Sequence, residues 1–180
     1  METITFEAFP KVKRLYREVI ITEKIDGTNA SVIITEDGQI AAASRKRLIT
    51  PENDNFGFAK WVEENKEELL ELGPGRHFGE WWGQGIQRGY GVGKKYFSLF
   101  NTHRWGEERP DCCEVVPVLA SGLLNEGVVE DALRFLEESG SVASWEAANM
   151  PYFNAEGVVV FHTHSNTLFK VTFDDEHKGE

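Results

Sequence analysis

The chain has 180 residues, 41% of them apolar, with twelve Phe and five Trp, and a formal net charge of −11. This suits one globular domain with a real core; no apolar run approaches the roughly 20 residues of a membrane span and the polar, acidic start is no signal peptide, so the expected location is the cytoplasm. The charge argues against a nucleic-acid partner only until it is counted by position. Residues 1–50 hold eight Lys or Arg against seven Asp or Glu, 51–100 six against eight, and 101–180 five against fifteen, which leaves room for a basic site in the first half.

In chain order, runs rich in Val, Ile and Phe predict strands over 18–23, 30–35 and 39–43, with Glu36-Asp37-Gly38-Gln39 as the hairpin turn between the last two. Phe56 to Leu72 is amphipathic at helical spacing, with Phe58, Trp61 and Leu69 on the core side. Strands follow over 77–82, 96–100 and 114–118, then a helix over Val128 to Ser139 that ends before Gly140. Strands 157–162 and 168–173 close the chain as a hairpin around Ser165-Asn166, and the acidic tail from Asp174 is expected to fray. Antiparallel hairpins with two interposed helices predict an α+β fold, antiparallel sheets flanked by helices, as a single domain over 1–180. Adjacent Cys112 and Cys113 fit neither a disulfide framework nor a zinc site and read as reduced thiols. His162 and His164, two apart, could bind a metal, but Thr163 and the hairpin position favour solvent exposure.

Five features carry chemistry. In I-I-T-E-K-I-D-G-T-N (Ile20 to Asn29) an apolar strand delivers Lys24 towards a low-dielectric pocket, where a neutral amine is a nucleophile; Gly27 permits a tight turn and a close approach. Taken alone, K-x-D-G reads more readily as a surface turn. Ser44-Arg45-Lys46-Arg47 is either a solvated loop or a clamp on phosphates or ribose. Glu80, inside F-G-E-W-W-G, is either the exposed side of a strand or a buried acceptor suited to a ribose hydroxyl. The glycine-rich loop after it, Gly89 to Lys95, is neither a P-loop nor a dinucleotide fingerprint. Phe97-Ser98-Leu99-Phe100-Asn101 can set a ring against a base or in the core. Finally, Ala155-Glu156-Gly157-Val158-Val159 and Leu168-Phe169-Lys170-Val171 each bring one charge into an apolar run, Glu156 placed for a divalent ion and Lys170 for a phosphate.

The order K-x-D-G, S-R, F-G-E, F-x-x-F, E-G-V-V and a lysine-bearing last strand resembles the covalent nucleotidyltransferase superfamily of polynucleotide ligases and capping enzymes. T-E-K-I-D-G-T-N and G-E-x-x-G-x-G-I-Q look most like the RNA ligases that seal nicked duplex RNA, over about Phe9 to Phe173. The resemblance implies a nucleotidyltransferase domain of the ligase type, unrelated to the ATP-grasp fold. It implies that Lys24 attacks the α-phosphate of ATP to form a lysyl-adenylate, that AMP passes to a 5′-phosphate end, and that a 3′-hydroxyl then displaces it. By the same likeness Arg45 contacts phosphate or ribose, Glu80 the ribose hydroxyls, Phe100 the adenine and Glu156 the metal. Glu23 and Asn29 flank the nucleotide, and Lys170 contacts the α-phosphate and lowers the pKa of Lys24. The implied cofactors are ATP and Mg2+, and the implied partner is RNA, with DNA as an alternative substrate.

The chain departs from the pattern in places. Thr172 stands where the last motif commonly has a second lysine, for which Arg88, Lys94 or Lys95 is expected to compensate, and Asn101 stands where many relatives have Asp. No OB-fold or other C-terminal domain is expected after the last motif. A minimal DNA ligase and a non-catalytic nucleotide or nucleic-acid binder therefore stay open beside the RNA ligase, with a GTP-using capping enzyme behind them.

Overall fold

Two antiparallel hairpin systems organise the computed structural model, which describes residues 3–174. The first sheet contains β1 (Glu18–Lys24), β8 (Val118–Leu123), β9 (Gly157–His162) and β10 (Thr167–Thr172) in the order β10-β9-β1-β8, antiparallel throughout. The second runs β4-β3-β2-β5-β6-β7, from β2 (Thr28–Ile34), β3 (Ile40–Ser44), β4 (Leu48–Ile49), β5 (Gly75–Gly83), β6 (Lys95–Leu99) and β7 (Glu114–Val115). Only the β6–β7 pair is parallel. Helices α1 (Phe58–Glu64), α2 (Lys66–Leu69), α3 (Val128–Ser139) and α4 (Val142–Ala148) pack around the sheets, giving the expected α+β class. Among the described residues no helix is long and apolar enough to cross a membrane. The tail expected to fray lies, after Asp174, outside the described residues.

Period-two alternation assigns the faces. In β1, Val19, Ile21 and Glu23 are buried, whereas Ile20, Thr22 and Lys24 border an open cavity between the sheets. The buried side joins Val158 and Val160 of β9 and Ala132 and Leu136 of α3 in one core cluster. A second cluster sets Val32, Trp81, Phe97 and Leu99 of the larger sheet against Phe58 and Val62 of α1, with Leu69 and Leu72 below. Trp61 packs against this core, its ring 5.2 Å from that of Trp81. A third cluster, Ile25, Trp82, Tyr90, Val92, Val116 and Ala143, joins the two halves behind the turn after β1.

Three expectations need correction. The helix over 56–72 is broken: Phe56 and Gly57 have positive φ, and Asn65 leaves helical geometry while its side-chain amide donates to the Trp61 carbonyl. The strand over 114–118 is two strands, split at Pro117, which has no N–H to donate but accepts one from Glu23 at 3.0 Å; pairing of β1 with β8 slips there. His162 is buried rather than exposed, its ring nitrogens 2.7 Å from Ser165 Oγ and 2.8 Å from the Leu15 carbonyl oxygen. Helix α4 and the short β4 are additions that no periodic run in the sequence announced.

Candidate active site

Lys24 is the last residue of β1, and opposite it in register stands Gly157, the first residue of β9. The residue before that glycine is therefore brought to the lysine: Lys24 Nζ donates to both Glu156 Oε1 and Oε2 at 2.9 Å. The side chains are about a quarter and a fifth exposed, so the pair is partly desolvated yet open to the cavity. Lys24 is thus one half of an ion pair and not the lone amine in an apolar pocket that its strand setting suggested.

The turn that follows is held from beneath. Gly27 N–H donates to Glu80 Oε1 at 3.1 Å, and Asp26 N–H to the Tyr90 hydroxyl at 2.7 Å. A side chain at position 27 would place its Cβ 2.3 Å from the Trp81 carbonyl oxygen, so this glycine is required by close packing on β5. Burial pushes the Glu80 carboxyl up to about 7, against the opposing pull of the Lys24 charge and the Gly27 N–H. Burial likewise raises the Tyr90 phenol above its ordinary value.

A cavity of about 940 Å³ opens above Lys24 and Glu80, large enough for a nucleotide. It gathers Asn29, paired with Glu80 in register, Arg45 at the end of β3, Phe100 after β6 and Lys170 on β10. Glu156 meets them through its ion pair with Lys24. Glu23 belongs to the cavity rim only by its backbone. Its side chain lies on the opposite face, buried, accepting hydrogen bonds from Ser141 Oγ and from Ala143 N–H at 2.8 Å. Burial raises its carboxyl, with Ser141 and backbone N–H groups opposing. Its carboxylate anchors α4, so Glu23 reaches the cavity by its backbone alone, as the alternation of β1 requires.

The cations expected to stand in for a second lysine are elsewhere. Thr172 is buried, paired across the sheet with Gly157. Arg88 holds Asp26 at 2.9 Å, the Asn154 carbonyl at 3.0 Å and Asp174 at 3.1 Å, and Lys94 covers the Tyr96 ring. None of Arg88, Lys94 and Lys95 borders the cavity, whereas Arg76 and Arg104 do. Sequence reasoning missed both. Arg76 lies on the same strand as Phe78 and Glu80 at period two, which is the signal that could have found it; Arg104, in a loop, donates to the Leu72 carbonyl and lies over the Trp105 ring.

Among the described residues, no group of three or more His, Cys, Asp or Glu side chains could hold a metal by itself. The donors near Lys24 are Glu156 and Glu80, a set that suits Mg2+ or Mn2+ completed by nucleotide phosphate oxygens and water.

A family model described as RNA ligase matches residues 17–172. Among curated proteins none matches significantly. Solved structures of Naegleria gruberi RNA ligase share the fold. A variant with ATP and Mn superposes with a TM-score of 0.62 at 19% identity, covering 89% of this chain and 50% of that one. The same enzyme with pyrophosphate gives 0.63 at 19% identity, over 99% and 60%. Another variant with AMP and Mn gives 0.57 at 18% identity, over 92% and 53%. The chain thus spans about half the length of these solved proteins. With the family model covering most of the chain, and its antiparallel sheets enclosing a lysine-centred cavity, the chain belongs to the RNA ligase family.

Proposed function

We propose that the protein is an ATP-dependent RNA ligase that forms a lysyl-adenylate at Lys24 and joins 3′-hydroxyl and 5′-phosphate RNA ends, with nicked duplex RNA as its substrate class. The observation that carries this reading is the Lys24–Glu156 ion pair at the floor of a nucleotide-sized cavity bordered by Asn29, Arg45, Glu80, Phe100 and Lys170.

Each side chain has a task in that reading. Phe100, two-fifths exposed, offers its ring to the adenine, and Glu80 offers its carboxyl to the ribose hydroxyls. Arg45 and Lys170 neutralise phosphate oxygens, with Arg76 and Arg104 further along the rim. Glu156 is positioned to take the first proton from the Lys24 ammonium, which frees the lone pair that attacks, and the second proton leaves the nitrogen to water as the N–P bond forms. The N–P bond forms, the bond to pyrophosphate breaks, and AMP remains on the lysine. An oxygen of a 5′-phosphate then attacks that phosphorus and frees Lys24. The 3′-hydroxyl finally attacks the RNA 5′-phosphorus and releases AMP. A divalent ion bound through Glu156, with Glu80 nearby, would supply charge neutralisation at the phosphates.

Incubation with ATP labelled at the α-phosphate, followed by denaturation, is expected to leave label on the wild-type protein and none on Lys24→Ala. Absence of label in the wild type, or equal label in the variant, overturns the reading. Nicked RNA and nicked DNA duplexes offered in parallel decide the substrate. Buried, uncharged Thr172 favours the second reading, a nucleotide or nucleic-acid binder without turnover, and the same labelling distinguishes the two.

A further inference from the structure

Within an acidic chain, residues 11–17 (K-V-K-R-L-Y-R) carry Lys11, Lys13, Arg14 and Arg17 and no acid. The root of this arm is fastened. His162 Nε2 lies 2.8 Å from the Leu15 carbonyl oxygen, Leu124 N–H donates to the Arg17 carbonyl at 2.9 Å, and Thr163 donates to the Glu18 carbonyl through both its N–H and its hydroxyl. The backbone over 15–18 is therefore held at the turn between β9 and β10, which brings Lys13, Arg14 and Arg17 near that turn. There His164 is pushed below its ordinary value by desolvation and then by the charges of Arg17, Lys13, His162 and Arg14.

Among the described residues none of the four cations is paired with a carboxylate. The Arg17 Nε is moreover buried without a hydrogen-bond partner. Like charges fastened together repel, and a polyanion relieves the repulsion.

The location relates this patch to the catalytic lysine. Strand β1 runs from Glu18, at the patch, to Lys24, a span of about 20 Å at the usual rise per residue and thus about seven base pairs of A-form duplex. The cavity itself extends from Lys24 along this sheet to Ile20, Phe161 and Leu168, towards the patch. We propose that the arm over residues 11–17 is a docking surface for the phosphate backbone of an RNA duplex, gripping it about seven base pairs from the nick held at Lys24. The placement of the nick rests on the proposed ligase reading; the phosphate grip does not.

The test uses the full chain with Lys11, Lys13 and Arg14 all changed to Ala, leaving the partly buried Arg17 in place. The probe is a fluorescent nicked RNA duplex with flanks of about 12 base pairs, and binding is read by anisotropy without ATP across a salt series. The variant is expected to bind at least about tenfold more weakly at low salt, with a salt slope shallower by about 3, while taking label from ATP as the wild type does. With both flanks cut to about 4 base pairs, wild type and variant are expected to bind alike. Unchanged affinity and slope in the variant, or equal weakening on short flanks, overturns the proposal. The arm also exposes Phe6, Phe9 and Val12, so phosphatidylserine vesicles are run in parallel; loss of vesicle binding with RNA binding unmoved also overturns it. Failure of the ligase reading looks different: the wild type then takes no label, whatever the salt slope shows.

Discussion

Glu80 and Glu156 are two carboxylates near one lysine, and their surroundings give them different work. Glu80 has an ordinary value of 4.5 and sits at about 7 in the fold. Between those values the folded protein holds a proton that the unfolded chain has lost, so stability falls as pH rises through that window and stays lower above it, by roughly 3 kcal/mol in full. Denaturation midpoints of the ligand-free protein are therefore expected to drop from about pH 5 to about pH 8, and Glu80→Gln is expected to flatten that drop. An equally steep profile in the variant assigns the titration elsewhere. Glu156→Ala leaves the Lys24 ammonium without its partner and removes the proposed proton acceptor, so self-adenylation is expected to fall by roughly 10²-fold or more, read by single-turnover labelling. Lys24, Glu80 and Glu156 were legible in the sequence because a charge inside an apolar strand needs a partner or a ligand. Glu23 borders the cavity by its backbone alone, because the period-two rule turns its side chain away from Lys24.

Helices and strands changed where one residue refused the local pattern. Asn65 competes for the Trp61 carbonyl and breaks an apparently continuous helix, and Pro117 splits a strand by lacking a donor. Helix α4 has seven residues, too few for periodicity to reveal, and its start is fastened from a distance by Glu23 through Ser141 and Ala143. Ser141→Ala removes both a donor to a buried carboxylate and the N-cap acceptor for Ser144 N–H. It is expected to cost about 1 to 3 kcal/mol, read as a lower urea midpoint with unchanged slope. At the start of β9, Gly157 has φ 150°, and a Cβ there would lie 2.2 Å from the Val171 carbonyl oxygen. Gly157→Ala is expected to cost about 3 kcal/mol or more in the same measurement, because β9 and β10 must separate and Glu156 moves with them.

The protein as a whole is acidic, yet Lys24, Arg45, Arg76, Arg104 and Lys170 border the cavity and four more cations lie on the arm over 11–17, which is where the proposed polyanion would meet Lys24 and leave by the same sheet. A bare sequence determined the α+β class, most strands, α3 and the lysine proposed as nucleophile, because alternation, turn residues and short motifs are local and each element largely carries its own pattern. Tertiary structure alone decided which charges meet: Glu156 reaches Lys24 from 132 positions away, through the antiparallel register of β1 with β9. The same holds for Arg76 and Arg104 at the cavity and for Arg88 tied to Asp26. Sheet register and interstrand packing place residues distant in the chain within a few ångströms, and no local periodicity encodes that distance.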